Sequence, residues 1–333
     1  MKNLKFVPFH KLGDQPNLIV DGRGNEHTRM TLSHWPDNDT PAQYKDDLSA
    51  QIVFRYLEDD KPIEDVEVVS NNHFDEDGLV SVFAMVDPKR AFEMKDFLIE
   101  VARAGDFSMC LDRDAARVSF VISAWTDPDR SPLNRTVFGD TTETLNQALY
   151  EELLKRLPNI VNKIQNLHEF WEPEDRVLTA TEQAILEGKV KIEEDKDIDL
   201  AVVTLPDKGI LSEDIVLDKP TSWVSSVLHP IAVHNKIDSY RVLVIMKNRY
   251  ELYYRYETWI DYVSKILKER VDLNNLVRRL NATEKSGGSW SFNGVDKIIG
   301  RLSFEGARES SIGPSSFLDY IRGSLTTTNM GIG

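Results

Sequence analysis

The sequence predicts an α/β protein with a mainly parallel sheet flanked by helices, followed by a smaller α+β domain. Three observations lead there. Short apolar runs in the first third each end in a polar loop, and stretches of 3.6-residue periodicity alternate with and follow them. A chain of 333 residues also exceeds one typical domain, which makes two the expected number.

Residues 17–22 (NLIVDG) have the continuous apolar pattern of a buried strand that ends in an acid and a glycine. Residues 29–34 (RMTLSH) form a second such run, and residues 66–70 (VEVVS) a third that leads into Asn71, Asn72 and His73. Between the second and third, residues 41–56 read as a helix with Leu48, Ile52, Val53 and Tyr56 on its apolar face. Another helix is expected over residues 79–86. Strands alternating with helices argue for parallel pairing.

From Asp87 to about Glu187 the pattern is helical over residues 91–104, 115–125 and 142–168. The charged stretch 189–199 reads as a domain boundary or an edge hairpin, placing the domains at 1–187 and 188–333. Beyond it, residues 200–205 form an apolar strand, and residues 240–246 and 250–256 pair as a hairpin. A helix over 273–280, a loop at Ser286–Ser289 and a strand-and-helix pair near 298–304 and 315–324 complete the second domain.

Composition narrows the function. The apolar fraction of 41% supports a packed core, and Cys110 is the lone cysteine, so neither an intrachain disulfide nor a multi-cysteine zinc site is available. That suits a reducing, cytoplasmic setting. The N-terminal segment is too polar for a secretory signal, and no apolar run reaches the roughly 18 residues that cross a bilayer. Net charge is −15, yet residues 241–333 hold 14 Lys and Arg against 10 Asp and Glu, a net of +4, leaving −19 on residues 1–240. The overall field opposes long nucleic acid as a ligand.

One cluster carries chemistry. His73, Asp75 and Asp77, followed by Gly78, stand between an apolar strand and a helix, where open α/β sheets bind ligands. An imidazole and two carboxylates suit a hard or borderline cation such as Mn²⁺ or Mg²⁺. The competing EF-hand reading fails, because the twelfth position of the loop is Ala84 where a bidentate glutamate is required. The bland alternative is an acidic turn that caps the next helix. Asp21 and His34, at two further strand ends, shift the balance toward metal.

Residues 68–81 (VVSNNHFDEDGLVS) resemble the first motif of the DHH phosphoesterase superfamily, which includes RecJ-like exonucleases and manganese pyrophosphatases. Asp21 with Gly22 resembles the second motif, and His34, between Ser33 and Trp35, a degenerate Asp-His-His motif. Asp47, with Ser49 opening a helix, resembles the fourth. The order is that of a circular permutation, and the resemblance spans roughly residues 17–85.

It implies two ions, Mn²⁺ or Mg²⁺, with His73, Asp75 and Asp21 on one and Asp77, Asp21, His34 and Asp47 on the other. Asp75, Asp77 and His34 are then the catalytic set. A hydroxide activated by both ions cleaves a small phosphorylated metabolite or a short nucleotide. Arg278, Arg279, Ser286, Gly287 and Gly288 offer an anion nest and guanidinium contacts for that substrate. The alternative is a non-catalytic relative that keeps the fold and binds a ligand or partner. Asp106 has two readings, a further ligand or a helix C-cap, and so have His229 and His234, as loop residues or a core pair.

Overall fold

The computed structural model describes residues 2–59, 61, 63–207, 210 and 224–326. It divides into two compact units, one of Met1–Asp175 with Ile260–Ile266 and one of Arg176–Trp259 with Leu267–Gly333.

In the first unit β1 (Lys5–Phe6), β2 (Asn17–Val20), β3 (Thr28–Leu32), α1 (Ser49–Glu58), β4 (Val68–Ser70) and α2 (Glu76–Val86) follow in order. Their strands pair as β1-β4-β2-β3, all parallel. All four β2 residues are buried. A strand buried on both faces cannot alternate apolar with polar, which is why residues 18–20 read as an unbroken apolar run. β2 sits between β4 and β3, so three parallel strands end side by side, and their last residues lead to Asp21, to Ser33 and His34, and to Asn71–His73.

α2 packs on α1 and on β1, β2 and β4. Helices α3 (Pro88–Glu93), α4 (Lys95–Asp106), α5 (Arg113–Thr126), α6 (Thr142–Asn162) and α7 (His168–Leu186) continue the chain. Caps define their starts: Asp87 accepts from Arg90 N, Asp112 from Asp114 N and Ala115 N, and Thr141 from Thr144 N. The helix expected over 41–56 begins only at Ser49. No side chain of its own segment caps it; Asp77 supplies that function from α2, which fixes where the helix starts.

The second unit holds β5 (Lys191–Asp195), β6 (Leu200–Thr204), α8 (Pro230–His234), β7 (Arg241–Met246), β8 (Arg249–Tyr254), α9 (Asn274–Thr283), β9 (Ser289–Phe292), β10 (Arg301–Glu305) and α10 (Pro314–Thr326). Its sheet runs β5-β6-β7-β8-β10-β9. Among the described residues of this sheet only β6 and β7 are parallel; the other pairings are antiparallel. The fold class is therefore α/β, but the mainly parallel expectation holds for the first sheet alone. Short connections account for the difference, since Lys196–Asp199 and Lys247–Asn248 turn the chain straight back on itself.

Alternation along these strands builds two cores. Leu200, Val202, Leu243, Ile245, Leu252 and Tyr254 face α9 and α10 with Leu276, Leu280, Phe317 and Ile321. Ala201, Val203, Val242, Val244 and Tyr253 face the other way, toward Ala184, Leu228 and Val233. Among the described residues no helix is long and apolar enough to cross a membrane.

Candidate metal centre

The three strand ends in the first unit converge. Asp21, directly after β2, takes a left-handed backbone with φ +46°, a conformation Asp tolerates better than most residues. That turn leaves its carboxylate buried at 1% exposure. Asp21 Oδ1 accepts a hydrogen bond from Ser49 Oγ at 2.8 Å. Ser49 Oγ in turn accepts from His34 N at 3.2 Å, so one hydroxyl at the start of α1 joins the ends of β2 and β3.

His34 Nδ1 lies 2.7 Å from the Asp47 carbonyl. A carbonyl only accepts, so Nδ1 carries the proton and the neutral ring presents the Nε2 lone pair. Nε2 faces Asp21 Oδ1 at 3.5 Å and Asp106 Oδ2 at 3.4 Å. Three lone-pair atoms turned toward one another, all buried, call for a cation.

Asp77 Oδ2 accepts from Ser49 N at 2.8 Å and Asp77 Oδ1 from Ala50 N at 2.7 Å. The same carboxylate caps α1 and stands 3.9 Å from His34 Nδ1. Beyond β4, Asn71 Oδ1 accepts from His73 N at 2.8 Å and sets the turn. His73 Nε2 then lies 2.7 Å from Asp75 Oδ2 and 3.3 Å from Asp21 Oδ2. The other Asp75 oxygen caps α2 by accepting from Gly78 N at 2.8 Å.

Two groups result, Asp21 with His34 and Asp77, and Asp21 with His73 and Asp75. Within each, one ligand atom per residue lies within 4.8 Å of the others. Asp21 belongs to both. The side chains of the first group are at most 1% exposed, whereas those of His73 and Asp75 are 26% and 32% exposed. One group is closed and the other open to solvent. Asp21 Oδ2 and Asp106 Oδ2 are buried without a hydrogen-bond partner among the described residues. Unpartnered carboxylate oxygens beside two imidazoles are the donor set of a divalent cation, and the residues present fit one.

A family model described as a family of unknown function (DUF6687) matches residues 2–328. The chain belongs to that family. No curated protein and no solved structure matches it. Every residue of the cluster lies within the matched span.

The electrostatics of the ion-free chain express the crowding. Burial raises Asp77 and Asp106 well above the usual carboxylate range, and the neighbouring carboxylates push further, led by Asp21 for Asp77 and by Asp75 for Asp106. Glu76 is pushed up to about 7, first by burial and then by Asp75. Burial would also raise Asp21, but the His73 imidazole 3.3 Å from its Oδ2 overcomes this and brings it to about 2. Burial lowers His34. It acts the same way on His73, where Asp75 and Asp21 overcome it and lift the ring to about 11. Without an ion, protons hold these groups together; a dication does the same work by displacing them.

Other expected residues lie elsewhere. Asp47 meets the cluster through its carbonyl, because its carboxylate accepts from Val263 N and Ser264 N, each at 2.9 Å. The carboxylate found beside His34 is Asp106, at the last turn of α4. Gly105 lets that helix end approach, since a Cβ there would come within 2.7 Å of Glu76 Cβ.

Arg278, Arg279, Ser286, Gly287 and Gly288 belong to the second unit. The amides of Lys285 and Ser286 both bond to Glu284 Oε1 at 3.0 Å, so the loop nest already has its anion. Gly288 packs where a Cβ would meet Phe304 at 2.2 Å. Arg278 bonds Asn275, and Arg279 lies over Tyr320 at 4.9 Å. Trp290 is core, stacked on Phe317, whereas Trp35 lies on His73 with ring centroids 4.7 Å apart. His229 caps α8, and His234 Nε2 bonds the Tyr253 hydroxyl at 3.0 Å.

Proposed function

We propose that the chain is a metal-dependent phosphoric ester hydrolase with two divalent ions, Mn²⁺ or Mg²⁺, acting on a small phosphorylated metabolite or short nucleotide. The observation that carries this reading is Asp21, shared by a closed and a solvent-open His/Asp group. A buried carboxylate common to two such groups suits an ion pair, and an open position leaves room for substrate. The likeness of residues 68–81 to the first DHH motif points the same way.

His73, Asp75 and Asp21 hold the open position; Asp77, Asp21 and His34 hold the closed one, with Asp106 alongside. Divalent ions there would supply positive charge for the phosphoryl oxygens and would activate water at neutral pH. The chain's own residues do the orienting. Asp47 holds the His34 tautomer through its carbonyl, Ser49 steadies Asp21, and Asn71 fixes the backbone of His73. The partly exposed edge of His73 and Asp75 is where an anionic substrate enters.

A second reading, a non-catalytic ligand-binding protein, is favoured by Trp35, which stands beside His34 and covers one face of His73. Calorimetric titration with Mn²⁺ and turnover of p-nitrophenyl phosphate and dinucleotides separate the readings. Two ions with turnover that falls at least about a thousandfold in Asp21→Asn, about 4 kcal/mol of transition-state stabilisation, support the hydrolase. Two ions without turnover support the second reading, and no binding at millimolar Mn²⁺ defeats the hydrolase.

A further inference from the structure

Beside the metal cluster, two buried donors meet at the first turn of α2. Asn71 Nδ2 and Tyr150 Oη have no hydrogen-bond partner among the described residues, and the residues are 4% and 1% exposed. The orientation of Asn71 is fixed, because its Oδ1 accepts from His73 N. Both donors converge with Asp75 Oδ1 on Gly78. A Cβ at Gly78 would lie 2.5 Å from Asn71 Nδ2, 2.7 Å from Tyr150 Oη and 3.0 Å from Asp75 Oδ1.

Three polar atoms, from the β4–α2 turn, the α2 cap and α6, thus close around Gly78, where a hydrogen fits and a side chain does not. Phe6 and Phe74 hold the Tyr150 ring, with centroids 4.8 and 5.0 Å away. Burial, with Asp75, Asp21 and Asp77 nearby, keeps the phenol pKa well above its ordinary value, so Tyr150 remains a donor. Buried donors are satisfied in nearly all folded proteins, by protein atoms or by ordered water with two to four polar partners. Asp75 Oδ1 takes one bond from Gly78 N and retains capacity for another.

We propose that Asn71, Tyr150 and Asp75 enclose a buried water-binding site, and that Tyr150 is a positioning residue acting through that water on Asp75. The water accepts from Asn71 Nδ2 and Tyr150 Oη and donates to Asp75 Oδ1. Asp75 is thereby tethered on the side away from His73, and α6 gains a grip on the metal-binding loop. The effect on metal affinity rests on the two-ion reading; the water site itself does not.

Tyr150→Phe removes one oxygen and keeps the ring. The expected results are a lower melting temperature for the ion-free protein, Mn²⁺ affinity weakened about tenfold to a hundredfold, and a crystallographic water bridging the three atoms in wild type. A higher melting temperature overturns the water site, because deleting an unsatisfied buried hydroxyl relieves its desolvation. A high-resolution wild-type map without that water does the same. A lowered melting temperature with unchanged Mn²⁺ affinity overturns the positioning role. If wild type binds no Mn²⁺, the two-ion reading and the positioning role fall together, while the map and the melting shift still judge the water.

Discussion

Asp21 takes a left-handed backbone at φ +46° so that its carboxylate turns back into the cluster at the end of β2. Strain kept at one residue is common where geometry serves a site. On the two-ion proposal, because Asp21 is common to both groups, Asp21→Asn is expected to abolish both Mn²⁺ equivalents, whereas His73→Ala removes one; the stoichiometry in a calorimetric titration checks this.

The titrating groups give a pH dependence whose sign follows from their shifts. Glu76 is raised to about 7 and Asp77 and Asp106 are raised as well. The folded ion-free chain therefore binds those protons more tightly than the unfolded chain. Their contribution to stability is complete below the ordinary carboxylate range and is lost as pH rises, through about 7 for Glu76. Asp21, lowered to about 2, contributes above its ordinary range and is unaffected between pH 5 and 8. Melting of the ion-free protein is thus expected to fall from pH 5 to pH 8. The stabilisation by Mn²⁺ grows over the same interval, because the ion replaces protons that are then more easily released.

At the scale of elements, α1 begins where a residue of α2 caps it. Asp77 satisfies Ser49 N and Ala50 N, so Asp77→Ala should cost about 1–2 kcal/mol in urea denaturation as well as an ion, by analogy with other lost caps. Asp47→Ala gives the complementary result. Its carboxylate holds the amides of Val263 and Ser264 while its carbonyl serves His34, so the variant is expected to lose about 1 kcal/mol and keep both Mn²⁺ equivalents.

Asp47 and Asp106 show what local patterning leaves open about a carboxylate. Asp47 precedes a helix and a serine, a plausible ligand position in sequence, but a carboxylate bonds whichever donors the chain brings near it. Asp106 gave the ambiguous signal of an acid after glycine at a helix end. Only the packing of α4 shows its oxygen facing His34.

For the whole molecule, ligand binding should raise stability by mass action. At a hundredfold excess over the dissociation constant the gain is about 2.7 kcal/mol per independent site, or roughly 4 °C for a chain of this size. A thermal melt with and without Mn²⁺ at pH 7.5 tests this, with EDTA restoring the ion-free value. The double substitution Arg278→Ala and Arg279→Ala should leave that shift unchanged, since these side chains engage Asn275 and Tyr320 in the second unit.

The sequence by itself determined the α/β character, the buried strand at residues 17–20 and the cluster His73, Asp75 and Asp77. These follow from periodicity and short spacing, which survive in one dimension. It also marked Asp21 and His34, because each directly follows an apolar run that becomes a parallel strand. The tertiary structure decided which strand ends are neighbours, and so which acids share a site with His34. It decided that the second sheet is mixed, since pairing direction depends on the path each connection takes. It alone brought in Tyr150, a helical aromatic indistinguishable in sequence from ordinary core. Contacts between distant segments arise from packing, and periodicity records only that a face is buried, not what it meets.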